Sequence, residues 1–277
     1  MTLSVRNNIF RGGIIFAIIS LGLIGAGGYF AYPGYPASAA SAAMRPGGII
    51  QAIMEKFAEP SPYVPFWTML GAAVYSLVSI ALIYYFFEKT QSPEILFFGF
   101  FVISLSFEFA RVSIPLKEIF SFPSMYLTAA SRVLLFGRYF GLFSLFAASV
   151  YAAGLDIQKQ QNIFFILILA ALIIALNVPV DSLIWDSSLK MLNGYSSMFT
   201  MVETGILLVT MLTFFISAYT RGSRAYVFVG IGAFLAYSGR NMLLNSDTWV
   251  TPIPGLLILS AGTWFSCARL HKEYLWL

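Results

Sequence analysis

Residues 95–112 read Ile-Leu-Phe-Phe-Gly-Phe-Phe-Val-Ile-Ser-Leu-Ser-Phe-Glu-Phe-Ala-Arg-Val. As a helix this stretch is about 27 Å long, close to the roughly 30 Å of bilayer hydrocarbon. It lacks the alternation of a barrel strand. It also lacks the polar stripe of a surface helix in a soluble protein. It therefore reads as a membrane-spanning helix, with two charges, Glu108 and Arg111, inside its outer half.

Seven further apolar runs flank it, at 13–32, 66–87, 133–153, 163–180, 199–218, 226–243 and 253–270. The expected fold is an all-α polytopic membrane protein, a bundle of eight transmembrane helices. It forms a single membrane domain over 1–277: a first span 13–32, an outer loop 33–65, a seven-span bundle 66–270 and a cytoplasmic tail 271–277. Composition agrees. Hydrophobic residues make up 59% and charged residues 10% of the 277, against about a quarter charged in a soluble domain. The longest soluble piece, the outer loop, is too short for a nucleotide-binding or kinase domain. No P-loop, dinucleotide fingerprint or HExxH is present.

The net charge of +4 is read as topology, and no nucleic-acid partner is expected. Arg6, Arg11, Lys89, Lys159, Arg221, Arg224, Arg269 and Lys272 share one side. Arg45, Lys56, Lys117 and Lys190 lie in the opposite loops, with Arg132 and Arg240 near span ends, beside Glu55, Glu59, Glu118, Asp181, Asp186 and Asp247. The positive-inside bias puts both termini in the cytoplasm, in a prokaryotic plasma membrane (the inner one where there are two). Trp67, Trp185 and Trp249 are expected as outer interface anchors. Arg6, Arg11, the apolar core and the Ala-rich run 36–43 also resemble a cleaved leader. The core exceeds a usual leader and ends far from the Ala run, so a retained first span is expected.

Within the outer loop, residues 48–58 have a 3.6-residue period. Ile49, Ile50, Ile53, Met54 and Phe57 oppose Gln51, Glu55 and Lys56, which predicts a short amphipathic helix. Gly22, Gly25 and Ala26 make a small-residue patch on span one, and Gly232 and Ala236 a similar pair on span seven. Both are expected at close helix contacts.

Charges inside spans are costly in lipid, roughly 2.5–3.5 kcal/mol each on insertion scales. Glu108, Arg111, Arg138 and Glu203 are therefore expected to turn inward and meet in the outer half of the bundle. Asp181 and Arg240 are placed as its cap, with Asn241 beside them. One reading makes this cluster a structural register device. The other makes it a ligand site, where the arginines hold a carboxylate or phosphate.

The only cysteine, Cys267, and the only histidine, His271, exclude an internal disulfide, a multi-histidine metal site and a serine–histidine hydrolase inside the membrane. No cofactor or metal is expected. Asp181 and Asp186 do not fall in opposing spans, as a di-aspartyl protease requires. Span one aside, the chain has the gross topology of seven-helix receptors, an analogy of topology only. These observations favour a non-catalytic membrane sensor, anchor or assembly subunit. Its expected partners are membrane lipids and a membrane protein or a second copy. The alternatives are a permease or channel with an outward polar pocket for an anion or lipid headgroup, and a carboxylate–arginine enzyme acting on a lipid phosphate.

Overall fold

The computed structural model describes residues 3–31, 57, 59, 61, 63–87 and 92–275. The amphipathic helix expected at 48–58 lies outside them except for Phe57, which is helical and exposed. Eight helical stretches among the described residues are long and apolar enough to cross a membrane. They are α1 (Leu3–Ala31), α2 (Val64–Phe87), a composite third span, α5 (Ser124–Ala152), α6 (Gln160–Asn177), α7 (Ser196–Thr220), α8 (Ala225–Leu244) and α9 (Pro252–Leu275). The third span joins α3 (Pro93–Ser104), a 3₁₀ segment (Leu105–Val112) and α4 (Ser113–Phe120). Between α6 and α7 lies an antiparallel hairpin, β1 (Val180–Trp185) and β2 (Met191–Asn193). The all-α reading of the bundle holds, and this two-stranded hairpin is an addition to it.

Helices α2, α3, α5, α7, α8 and α9 close into a ring, with α6 set against α5. α2 packs on α3, α3 on α5, α5 on both α6 and α7, α7 on α8, α8 on α9, and α9 back on α2. The third span is the most enclosed, with 83% of its most apolar window buried, against 17% for α7. That difference explains its sequence. A helix surrounded by protein fills space with Phe97, Phe98, Phe100 and Phe101, all buried.

Serines from the neighbours hold the third span where its pitch tightens. Ser76 Oγ donates to Val102 O at 2.9 Å and Ser20 Oγ to Ser106 O at 2.6 Å. Ser106 Oγ in turn donates to Ser76 Oγ at 2.9 Å. In hydrocarbon, carbonyls that leave the regular helix ladder need such partners.

Helix α1 lies outside the ring, against α2 and the 3₁₀ segment. Arg6, Phe10, Gly13, Ala17, Ser20, Ile24 and Gly27 are its buried positions, a stripe alternating steps of four and three residues. The small patch of the sequence reading is not on that stripe. Gly22, Gly25 and Ala26 are exposed, and a Cβ on either glycine would meet nothing within 4 Å. Gly13 and Gly27 make the close approaches instead, to Ile103 and Val112. Glycine pairs four apart do not say which face of a helix is used.

The pair in α8 does lie at a contact. α8 and α9 run antiparallel with backbones touching. A Cβ on Gly239 would stand 2.7 Å from Gly255 O, and one on Gly262 would stand 2.6 Å from Gly232 O. Ala236 is the third small residue of this seam, opposite Gly262.

Candidate functional site: a buried charge cluster clipped to a hairpin

In a 3₁₀ helix, side chains three apart eclipse one another. The segment 105–112 therefore stacks Arg111 over Glu108, and their ion pair measures 3.3 Å from Arg111 Nη1 to Glu108 Oε2. Arg138 reaches across from α5 and grips the same carboxylate side-on, Nε to Oε1 at 3.1 Å and Nη2 to Oε2 at 3.2 Å. Glu108 thus sits between two guanidiniums and is only 1% exposed. Helix α5 begins at Ser124, well before the expected 133, so Arg138 lies about 21 Å along it.

Arg240 enters from α8. Its Nη1 donates to Arg138 O at 3.2 Å, and its guanidinium lies 5.8 Å from the Phe101 ring centroid. Gly141 makes room for it, since a Cβ there would stand 3.0 Å from that Nη1. Arg240 Nε is buried without a hydrogen-bond partner among the described residues. Glu203 is a neighbour rather than a member. It accepts a hydrogen bond from Tyr237 Oη at 3.0 Å and forms no ion pair among the described residues. Asn241 follows Tyr237 by one turn. Asp181 lies on β1, its side chain outside the described residues.

The sequence reading missed the hairpin as the fourth wall. Arg111 Nε donates to Leu189 O at 3.4 Å, and its Nη2 donates to Ser188 O. Each of the three Arg111 nitrogens therefore makes a hydrogen bond, one to Glu108 and two to the hairpin tip. Leu189 is buried, adopts φ +55°, and packs with Val112, Ile114 and Leu127. The Asp186 carboxylate builds the turn. Its Oδ1 accepts from Ser188 N at 3.0 Å, Ser188 Oγ at 2.8 Å and Lys190 N at 3.0 Å. The signal was present in the sequence: an Asp-Ser-Ser turn between the apolar stretches 183–185 and 191–192.

Lys190 pairs with Asp186 at 3.3 Å and donates to Asn245 Oδ1 at 2.8 Å. Burial, and then repulsion from Arg138, push its ammonium from 10.5 down to about 8, against the pull of Asp186. Burial raises the Asp186 carboxyl, but Lys190 and the turn hydrogen bonds together outweigh it and hold it below the usual carboxylate range. The lysine has a testable sign. A lysine whose pKa is lowered on folding binds fewer protons folded than unfolded between about pH 8 and 10.5. Stability contributed at this position therefore rises as pH increases through that window. Melting temperature is expected to climb from pH 8 to 10 in the wild type relative to Lys190→Met. A wild-type-minus-variant difference that stays flat with pH would refute the assignment.

Chemically, the cluster offers little to a substrate. The Glu108 oxygens are both engaged, and Arg111 has no exposed side-chain surface. Arg138 alone of the four cluster residues keeps notable exposure, 21% of its side chain. No group of three or more metal-ligating side chains occurs among the described residues. Comparison with family models, with curated proteins and with solved structures finds no match.

Proposed function

We propose that this chain is a non-catalytic membrane sensor or assembly subunit: the outer hairpin receives the input, and the output is a contact with a membrane protein partner. The observation that carries this reading is Arg111. One buried guanidinium joins the hairpin tip to Glu108, and through Glu108 to α5. Lifting the hairpin strips two acceptors from that guanidinium. A buried group left unsatisfied costs about 1–3 kcal/mol, more when charged. A displaced hairpin therefore favours a different arrangement of the third span and α5, which is the coupling a sensor needs.

The competing readings draw less support. A lipid-phosphate enzyme needs an acid or base beside the arginines; Glu108 is held by two of them, and Glu203 accepts from Tyr237 instead. A permease for anions needs arginines that an anion can reach, and Arg111 has no exposed side-chain surface. In this reading the bundle sits in a prokaryotic plasma membrane with both termini inside. A terminal tag accessible from outside would overturn that orientation.

The test is purification in mild detergent with identification of stoichiometric companions, repeated with Leu189→Ser, which removes the hairpin's apolar plug. A membrane protein is expected to co-purify with the wild type, and its recovery is expected to change several-fold in the variant. A partnerless wild type that supports flux or turnover in pure liposomes would defeat the proposal.

A further inference from the structure

We infer that the hairpin tip stands in for a ligand, and that the cleft it fills between the third span and α5 binds a small organic acid with a branched aliphatic tail. The inference rests on the sensor reading and deepens it, by naming what displaces the hairpin. Arg111 carries the argument. Its Nη1 is turned to Glu108, while its other edge, Nε and Nη2, faces two oxygens of the tip, Leu189 O and Ser188 O. Arg138 uses the same edge, Nε and Nη2, to hold the two oxygens of the Glu108 carboxylate. Two such N–H groups side by side form the fork that matches a carboxylate. In Arg111 that fork is filled by two neutral carbonyls of the chain itself. A carboxylate in their place adds a charge that the site can take, since Arg111, Arg138 and Arg240 outnumber Glu108 and its neighbour Glu203 by one.

The rest of the cleft selects the tail. The Leu189 side chain is buried there against Val112, Ile114 and Leu127. It is held at φ +55°, a left-handed conformation that a leucine keeps only where its surroundings impose it. The plug also leaves space. A void of about 10 Å³, room for one water, remains beside it, lined by Arg111, Leu189, Ala130, Ser131 and Leu134. A carboxylate joined to a leucine-sized tail therefore reproduces the contacts of the tip without its strained residue. Inorganic phosphate reproduces only the polar half. With the hairpin down, Arg111 has no exposed side-chain surface, so the ligand enters only as the tip leaves. A tethered tip competes at an effective concentration of about millimolar, and the ligand is expected to bind weakly for that reason.

The experiment titrates the whole chain, in phosphatidylcholine nanodiscs, with 4-methylpentanoate and follows binding by calorimetry. Leu189→Ser weakens the competing tip, so it is expected to bind the probe several-fold more tightly than the wild type. 4-Methylpentan-1-ol has the tail without the carboxylate, and acetate the carboxylate without the tail. Neither is expected to bind. A second measurement leaves Leu189 in place. Ser188 is buried in the tip, so Ser188→Cys in a Cys267→Ser background reports its exposure, and 4-methylpentanoate is expected to speed labelling by a water-soluble maleimide several-fold. Binding of the alcohol or acetate as tightly as the acid overturns the inference. So does unchanged affinity in Leu189→Ser, or labelling of Ser188→Cys that the probe leaves the same or slows. These outcomes concern the purified chain alone, so they strike the ligand and not the partner reading, which co-purification decides.

Discussion

Glu108→Gln is expected to collapse the folded yield of the protein. The substitution keeps the shape and removes the charge. Arg111 and Arg138 then face each other across a neutral amide, and Arg111 has no exposed side-chain surface. Breaking a buried ion pair by removing one partner costs about 3–5 kcal/mol, because the remaining charge is left uncompensated. Here one carboxylate serves two cations, so the upper part of that range is expected. Arg138→Leu should be milder. It removes a partly exposed cation and leaves the Arg111–Glu108 pair intact. Combining Glu108→Gln with Arg138→Gln should recover part of the loss, since the two residues share one interaction. Thermal melting of detergent-purified protein measures all three. A Glu108→Gln variant that melts with the wild type would show that the cluster does not hold the bundle together.

The second large effect is expected at the α8–α9 seam. In Gly262→Leu the new side chain meets Gly232 O and the Ala236 backbone. Those are main-chain atoms and cannot rotate away, so the helices must separate along the seam. Overpacking a well-packed site costs about 1–3 kcal/mol, occasionally more. A backbone obstacle puts this case at or above the top of that range. The control is Gly22→Leu in α1, where the added side chain enters open space. That change is expected to stay within about 0.5 kcal/mol of the wild type. If both variants express and melt alike, the helices do not approach as closely as the glycines allow.

The two substitutions illustrate different degrees of legibility. That Glu108, Arg111 and Arg138 turn inward follows from the cost of charge in lipid, which applies whatever the packing. The choice of partners does not follow. The sequence reading grouped Glu203 with the arginines, whereas it is bonded to Tyr237, and Arg111 has found two backbone carbonyls instead. Main-chain acceptors have no signature of their own in a sequence. They become visible only once the Asp186 turn is seen to point a hairpin tip at the third span. The glycines teach the same lesson. Gly22–Ala26 and Gly232–Ala236 look alike as strings, yet only the second lies in a contact.

What the sequence by itself determined is the solvent and the architecture. Runs of about 20 apolar residues must span lipid as helices, because hydrocarbon offers no partner to a free backbone group. Only the tertiary structure decided which faces meet: the ring closed by α9 against α2, the outer position of α1, and the hairpin clipped to Arg111. The physical reason is that burial in lipid is nearly uniform around an apolar helix. Hydropathy then carries no information about the inward face. Shape, small residues and a few stranded charges settle it, and those act only between segments far apart in the chain.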